Sequence, residues 1–173
     1  MRKIIAFAGS SSKNSINKQL VTYTTSLFKN VEVEILDLND YEMPLFSVDK
    51  EKENGFPDLA VEFLSKIGNA DLVVISLAEH NGAYSTAFKN IFDWTSRINP
   101  KVFQSKKMLL MATSPGARGG SSVLEIAKNR FPRHDAEIVG LFSLPNFNDN
   151  FDKEKGITDQ ELNEKLIEIV STI

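Results

Sequence analysis

Three polar segments carry most of the side chains able to hold or transform a ligand. The first reads Gly9-Ser10-Ser11-Ser12-Lys13-Asn14-Ser15-Ile16-Asn17. It offers serine hydroxyls, asparagine amides and, with a helix opening at Ser15, the unpaired amides of a first turn. Such donors suit a phosphate, because N–H groups and the helix dipole both favour an anion. A P-loop is excluded by the missing Gly-Lys-Ser/Thr ending, and a dinucleotide fingerprint by the single glycine, Gly9. The second segment is Ala78-Glu79-His80-Asn81-Gly82-Ala83-Tyr84. Gly82 lets a backbone approach a flat ligand. No serine or aspartate beside His80 forms a triad, so His80 is assigned no proton transfer. The third, Ser114-Pro115-Gly116-Ala117-Arg118-Gly119-Gly120-Ser121, combines a glycine-rich turn, a cation and a second helix start. The first segment alone reads equally well as a strand–helix connector, and the third alone reads better as a plain strand–helix turn with a solvated arginine.

The elements between these segments favour the ligand reading. Short apolar runs at Lys3–Gly9, Asp71–Ser76, Lys107–Thr113 and Glu137–Phe142, with the alternating Val31–Leu36, predict five strands. Helical spacing follows each strand: Ile16/Leu20/Tyr23/Leu27, then Ala60/Phe63/Leu64/Ile67, then Ser85–Ile98, Ser121–Phe131, and a final helix carrying Leu162, Leu166, Ile169, Val170 and Ile173. Ser15 is expected as one N-cap, and Ser122/Glu125 and Thr158/Glu161 as capping boxes. Leu38–Gly55 reads as irregular. Regular strand–helix alternation predicts one doubly wound α/β domain over residues 1–173, with a parallel sheet. Such sheets bind ligands beyond the carboxyl ends of their strands, where the three polar segments fall.

Composition narrows the classes of function. The chain has 173 residues, no cysteine, two histidines and a formal net charge of −3. Disulfide frameworks and thiolate metal sites are excluded. A mildly acidic chain is a poor counterion-release partner for nucleic acid, so no nucleic acid is expected. No apolar run reaches the ~20 residues of a membrane span, and the N-terminal run is too short for a signal peptide, so a cytoplasmic location is expected. His134 reads as a surface residue, and the Asn/Asp-rich stretch 146–152 as a weak cation candidate. The Ser85–Ile98 helix has more apolar surface than one core face needs, with Phe88, Phe92 and Trp94, and this suggests a homodimer or dimer of dimers through it.

The chain resembles the NADPH-dependent FMN reductase family. Gly9-Ser10-Ser11-Ser12-Lys13-Asn14-Ser15-Ile16-Asn17-Lys18-Gln19-Leu20 is similar to its Gly-Ser-x-Arg-x-x-Ser-x-Asn-x-x-Leu motif. Ala78-Glu79-His80-Asn81 and Phe88-Lys89-Asn90-Ile91-Phe92-Asp93-Trp94 resemble Pro-Glu-Tyr-Asn and Leu-Lys-Asn-x-x-Asp-Trp. Ser114–Gly120 resembles the family's Ser-x-Gly-x-x-Gly-Gly loop. Three departures stand out: Ser12 replaces the motif arginine, Ala78 a proline and His80 a tyrosine. The resemblance implies a flavodoxin-like three-layer α/β/α sandwich with strand order 2-1-3-4-5. It implies non-covalent FMN, NADPH or NADH as donor, and a small-molecule acceptor such as a quinone, flavin or azo compound. Gly9, Ser10, Ser12, Ser15, Ile16 and Asn17 would surround the phosphate. Glu79, His80, Asn81, Gly82 and Ala83 would lie along the ring, and Ser114, Pro115, Gly116, Arg118 and Gly119 at its pyrimidine side. No side chain need act as acid or base, since the flavin carries the chemistry. A flavodoxin-type electron carrier and a flavin-free module of the same fold are the competing readings.

Overall fold

The computed structural model describes residues 1–173. The apolar runs become the central strands of a parallel sheet: β1 (Arg2–Gly9), β3 (Leu72–Leu77) and β6 (Lys106–Thr113). They are buried along most of their length, as strands covered on both faces must be. β2 (Val31–Leu36) and β7 (Ala136–Leu144) are the wetter edges. The order is β2-β1-β3-β6-β7, all parallel, which is the expected 2-1-3-4-5 among the sheet strands.

Side-chain alternation along the strands divides the core. Ile4, Ala6, Val74 and Met111 pack under α1 (Ile16–Ser26) and α7 (Gln160–Thr172) through Leu20, Val21 and Leu166. Ile5, Phe7, Ile75 and Leu110 pack under α3 (Asp58–Gly68), α4 (Thr86–Ile98) and α5 (Ser121–Arg130) through Phe63, Ile67, Phe88, Phe92 and Val123. β1 leads to a helix on one face and β3 to a helix on the other. The crevice this reversal leaves lies beyond the carboxyl ends of the two strands.

Several smaller elements differ from the sequence expectation. The 38–55 segment is ordered as a 3-10 turn (Leu38–Tyr41) and a helix, α2 (Val48–Asn54). β3 is followed by a two-residue-strand hairpin, β4 (Glu79–His80) and β5 (Ala83–Tyr84). Beyond β7 come α6 (Phe147–Asn150), β8 (Phe151–Asp152) and β9 (Gly156–Ile157). α5 starts from Gly120 in the left-handed region, without a side-chain cap, so Ser122 does not open it. Asp159 rather than Thr158 caps α7, accepting from the Leu162 amide at 2.9 Å. His134 is buried, not on the surface: its Nδ1 sits 2.7 Å from the Pro100 carbonyl and its ring packs edge-on to Phe92. The aromatic surplus of α4 is likewise used inside the chain. Phe88 and Phe92 join the core, and Trp94 is buried against Phe46 with its indole N–H donating to the Pro44 carbonyl at 2.8 Å. The extra residues therefore cover a neighbouring segment, and they give no reason for a subunit contact on this helix.

Two tyrosines make the fold sensitive to alkali. Burial pushes the Tyr84 hydroxyl up to about 12. Burial, then the Glu62 carboxylate that accepts its hydrogen bond, pushes Tyr41 up to about 12. An unfolded tyrosine ionises near ~10, so the unfolded chain releases these protons first. Their contribution is fully present below about pH 10 and is lost as pH rises towards 12. Tyr84→Phe is expected to flatten that loss in alkaline melting curves. Near neutral pH it is expected to be neutral or stabilising by up to ~1 kcal/mol, because the Tyr84 hydroxyl is buried without a partner.

Candidate functional site

Asn17 holds the sheet's carboxyl edge together. Its side chain is buried at the start of α1 and crosses to two strands. Nδ2 donates to the Thr113 carbonyl at 3.2 Å, while Oδ1 accepts from the Thr113 amide at 3.1 Å and the Ser76 hydroxyl at 2.7 Å. Both acceptor positions and one of the two side-chain N–H groups are thereby engaged, so Asn17 has its backbone amide and one side-chain N–H left to offer a ligand. Ser15 caps α1, accepting from the Lys18 amide at 3.2 Å. The Ile16 and Asn17 amides ahead of it have no acceptor within the chain. Ser10 folds the loop by accepting from the Ser12 amide.

The second segment is anchored in the same way. The Glu79 carboxylate accepts from the Val123 amide of α5 at 3.0 Å and lies 3.9 Å from the Arg118 guanidinium. An acid at a helix N-terminus is favourably placed. Asn81 and Gly82 both have positive φ, the geometry of a tight two-residue hairpin turn. Ser85 caps α4 and donates to the Gly9 carbonyl at 2.7 Å, tying this segment to the end of β1.

The third loop rests on the chain after β7. Its Ser114 and Gly116 carbonyls accept from the Phe147 and Asn146 amides, and Ser143 donates to the Gly119 carbonyl at 3.0 Å. Asp152, in the Asn/Asp-rich stretch, accepts from the Glu154 and Lys155 amides, which lower its pKa.

These supports create a cleft of about 230 Å³. Of the residues singled out in the sequence, Ser10, Ser12, Ser15, Ile16, Asn17, Glu79, His80, Ser114 and Pro115 line it. Asn14, Ala78 and Thr113 also line it and were not singled out. Gly9 lies behind the cleft with its carbonyl taken by Ser85, and Gly119 is buried against Ser143. Asn81, Gly82 and Ala83 form the hairpin tip; Gly116 and Arg118 are exposed on the third loop. No lysine or arginine lines the cleft. Lys18, one turn into α1, pairs with Asp37 and holds that carboxyl below its usual range.

A larger cavity of about 470 Å³ adjoins the first loop at Ser11. Its walls include Leu38, Tyr41, Met43, Leu45 and Ile91, with Asn39, Glu42, Thr86 and Asn90 as the polar part. The 43–46 wall is clamped by α4. Asn90 donates to the Met43 and Pro44 carbonyls and accepts from the Phe46 amide at 2.8 Å; Trp94, one turn on, donates to Pro44. The sequence signal for this clamp is the i, i+4 spacing of Asn90 and Trp94, which places both on one helix face.

Comparison with known proteins gives this geometry its family. Residues 2–149 match the family model described as NADPH-dependent FMN reductase. The chain belongs to that family. The FMN reductase match spans β1 to α6 and includes all three loops. An NADPH:quinone oxidoreductase of Arabidopsis thaliana is 26% identical, with 99% of this chain and 89% of the relative covered. The NADH-dependent flavin reductase subunit 2 of Lactobacillus johnsonii is 28% identical over 92% of this chain and 88% of its own. The solved flavoenzyme NAD(P)H:(acceptor) oxidoreductase of Paracoccus denitrificans shares the fold with a TM-score of 0.78 at 21% identity, covering 99% and 94% of the two chains. The protein is thus an FMN-dependent NAD(P)H oxidoreductase with a flavodoxin-like fold. No helix is long and apolar enough to cross a membrane.

Proposed function

We propose that this FMN reductase binds FMN across the 230 Å³ cleft and passes electrons from NADPH or NADH to a quinone-type acceptor seated in the adjoining 470 Å³ cavity. The observation that carries the reading is the cluster of open donors at the end of β1. The Ile16 and Asn17 amides point out of a helix N-terminus beside the Ser10, Ser12 and Ser15 hydroxyls. This chemistry fits a phosphate without a cation. FMN, when bound, supplies two-electron chemistry between a nicotinamide and an acceptor. The chain's own residues place and shield it. Glu79 fixes the hairpin to α5, Asn17 fixes the phosphate loop to β3 and β6, and Gly82 leaves one of the two turn positions of the hairpin without a side chain. The Asn90–Trp94 clamp holds the wall of the acceptor cavity, whose lining, about half apolar and with one carboxylate, Glu42, and no cation, suits an uncharged aromatic better than an oxyanion. We read residues 1–173 as one FMN-binding domain, acting in the cytoplasm.

A homodimer also goes with this reading, but through the segment α4 holds rather than through α4's aromatics. Leu45, Val48 and Phe56 are large, apolar and exposed there. A carrier would bind FMN but would not consume nicotinamide unaided, so anaerobic mixing with NADPH or NADH separates the two. Bleaching of the flavin band, then return of the band on adding a quinone, is the expected result. A spectrum that stays oxidised with both nicotinamides would overturn the reductase reading.

The neutral phosphate loop makes a further prediction. Ser12 is exposed at the cleft, where the family motif has arginine. Ser12→Arg is expected to tighten FMN about tenfold at low salt, the effect of one added charge-assisted contact, and to leave riboflavin affinity unchanged. Fluorescence titration with the two ligands checks it.

A further inference from the structure

We infer that the Glu79 carboxylate tunes the bound flavin, holding its reduction potential low by fixing a negative charge in the wall of the cleft. The inference rests on the FMN reading above and goes beyond it.

Glu79 is the one carboxylate among the residues that line the cleft, and no lysine or arginine lines it. Its side chain is only 11% exposed. Two contacts fix it there. It accepts from the Val123 amide at 3.0 Å, and the Arg118 guanidinium lies 3.9 Å away. Arg118 is 77% exposed, so water screens that cation far more than it screens Glu79. The bond to Val123 occupies a first-turn amide of α5, and the carboxylate offsets the positive end of this 10-residue helix. A helix start that would otherwise stabilise an anion in the cleft is thereby turned to the protein's own acid. The FMN reading sets the hairpin that begins at Glu79 along the flavin ring. A hydride from the nicotinamide brings that ring two electrons and one proton, so reduction leaves it one charge more negative until a second proton arrives. A fixed carboxylate opposes that gain and hardly touches the neutral oxidised ring. A cleft of about 230 Å³ is narrower than the ~10 Å over which charges act at 0.1 M salt, and a buried charge is screened less. The sign of the effect is therefore the same whichever part of the ring lies closest. The consequence is a reduced cofactor that gives up electrons more readily and reaches acceptors of lower potential.

The test is the midpoint potential of the FMN-loaded full chain, read from the flavin band in an anaerobic reductive titration against a reference dye at pH 8, alkaline enough to leave the reduced ring anionic. Wild type is compared with Glu79→Gln, which keeps an acceptor for the Val123 amide and removes the charge. Glu168→Gln controls for net charge. Glu168 is exposed near the end of α7, and Arg2 donates to the Ile173 carbonyl at 3.0 Å, so that end lies where β1 starts, at the opposite edge of the sheet. Glu79→Gln is expected to raise the potential by a tenfold change in the ratio of oxidised to reduced cofactor, about 30 mV for a two-electron couple. Glu168→Gln is expected to leave it in place. Arg118→Gln, a change at an exposed side chain that keeps Glu79 and removes its countercharge, is expected to lower it by less than Glu79→Gln raises it. Melting curves show that each variant folds, and Arg118→Gln carries the test if Glu79→Gln does not. An unmoved potential in Glu79→Gln overturns the inference, because the carboxylate is then only a tether. An equal shift in Glu168→Gln, or a rise in Arg118→Gln, overturns it too. Wild type that binds no FMN removes the FMN reading itself, a result distinct from a loaded protein whose potential stays put.

Discussion

Replacing Asn17 by alanine is expected to lower the unfolding free energy by about 3 kcal/mol and to leave the purified protein without flavin. The side chain makes three buried hydrogen bonds, two to the Thr113 backbone and one to the Ser76 hydroxyl. Alanine strands those partners away from water, and each unsatisfied buried group costs ~1–3 kcal/mol. The loss also frees the first loop from the ends of β3 and β6, which is what sets the phosphate donors over the cleft. Asn17→Asp keeps the acceptor for Ser76 and the Thr113 amide but puts a carboxylate against the Thr113 carbonyl, so it should be no milder. Thermal melting and the flavin-to-protein absorbance ratio measure the two effects. A variant that melts like wild type yet lacks flavin would mean that Asn17 acts by meeting the ligand through its remaining N–H rather than by holding the loop.

Gly119→Ala is the second large effect. Gly119 has φ +56, a region that costs L-residues ~1–2 kcal/mol. An added Cβ would lie 2.4 Å from Ser143 Oγ, 2.8 Å from the Pro145 nitrogen and 3.0 Å from the Leu144 carbonyl carbon. The hydroxyl can swing away; the backbone of the chain leaving β7 cannot. A loss of about 2–4 kcal/mol is expected, with displacement of Ser114 and Pro115 from the cleft. Pairing it with Ser143→Ala should recover only part of the loss, because two of the three close atoms are backbone. Gly116→Ala, three residues earlier, is the control. Its Cβ would meet nothing closer than Ser114 Oγ at 3.9 Å, so stability should change by less than ~0.5 kcal/mol. Equal melting temperatures for the two variants would contradict this account of the loop.

The sheet was legible because strands buried on both faces must be near-continuous apolar runs, and Leu72–Ile75 and Met108–Ala112 are such runs. The cap at Ser15 was legible for a related reason, since a cap is a local contact spanning three residues. What escaped depends on distant partners. Asn17 reads as a phosphate ligand until its side chain is seen to bond Thr113, 96 residues away. His134 reads as exposed in Pro-Arg-His-Asp until Phe92 and Pro100 are seen to enclose it. The surplus of aromatics on α4 reads as an interface until the 43–46 segment is seen to use Trp94. Asn81-Gly82 is a strong hairpin signal, but strands of two residues each leave no alternating pattern around it. The capping boxes at Ser122 and Thr158 failed because Gly120, two residues before the first, and Asp159, directly after the second, were the residues placed to start the helices.

Trp94 is the only tryptophan in the chain, and its indole is buried with its N–H on a carbonyl of the segment that walls the larger cavity. Its ultraviolet emission therefore reports on that wall alone, with no label and no competing fluorophore of its kind. A molecule that enters the cavity and loosens the Pro44 contact would shift the emission to longer wavelength, whereas one that binds elsewhere would leave the wavelength in place. The protein carries its own optical gauge of where an acceptor sits.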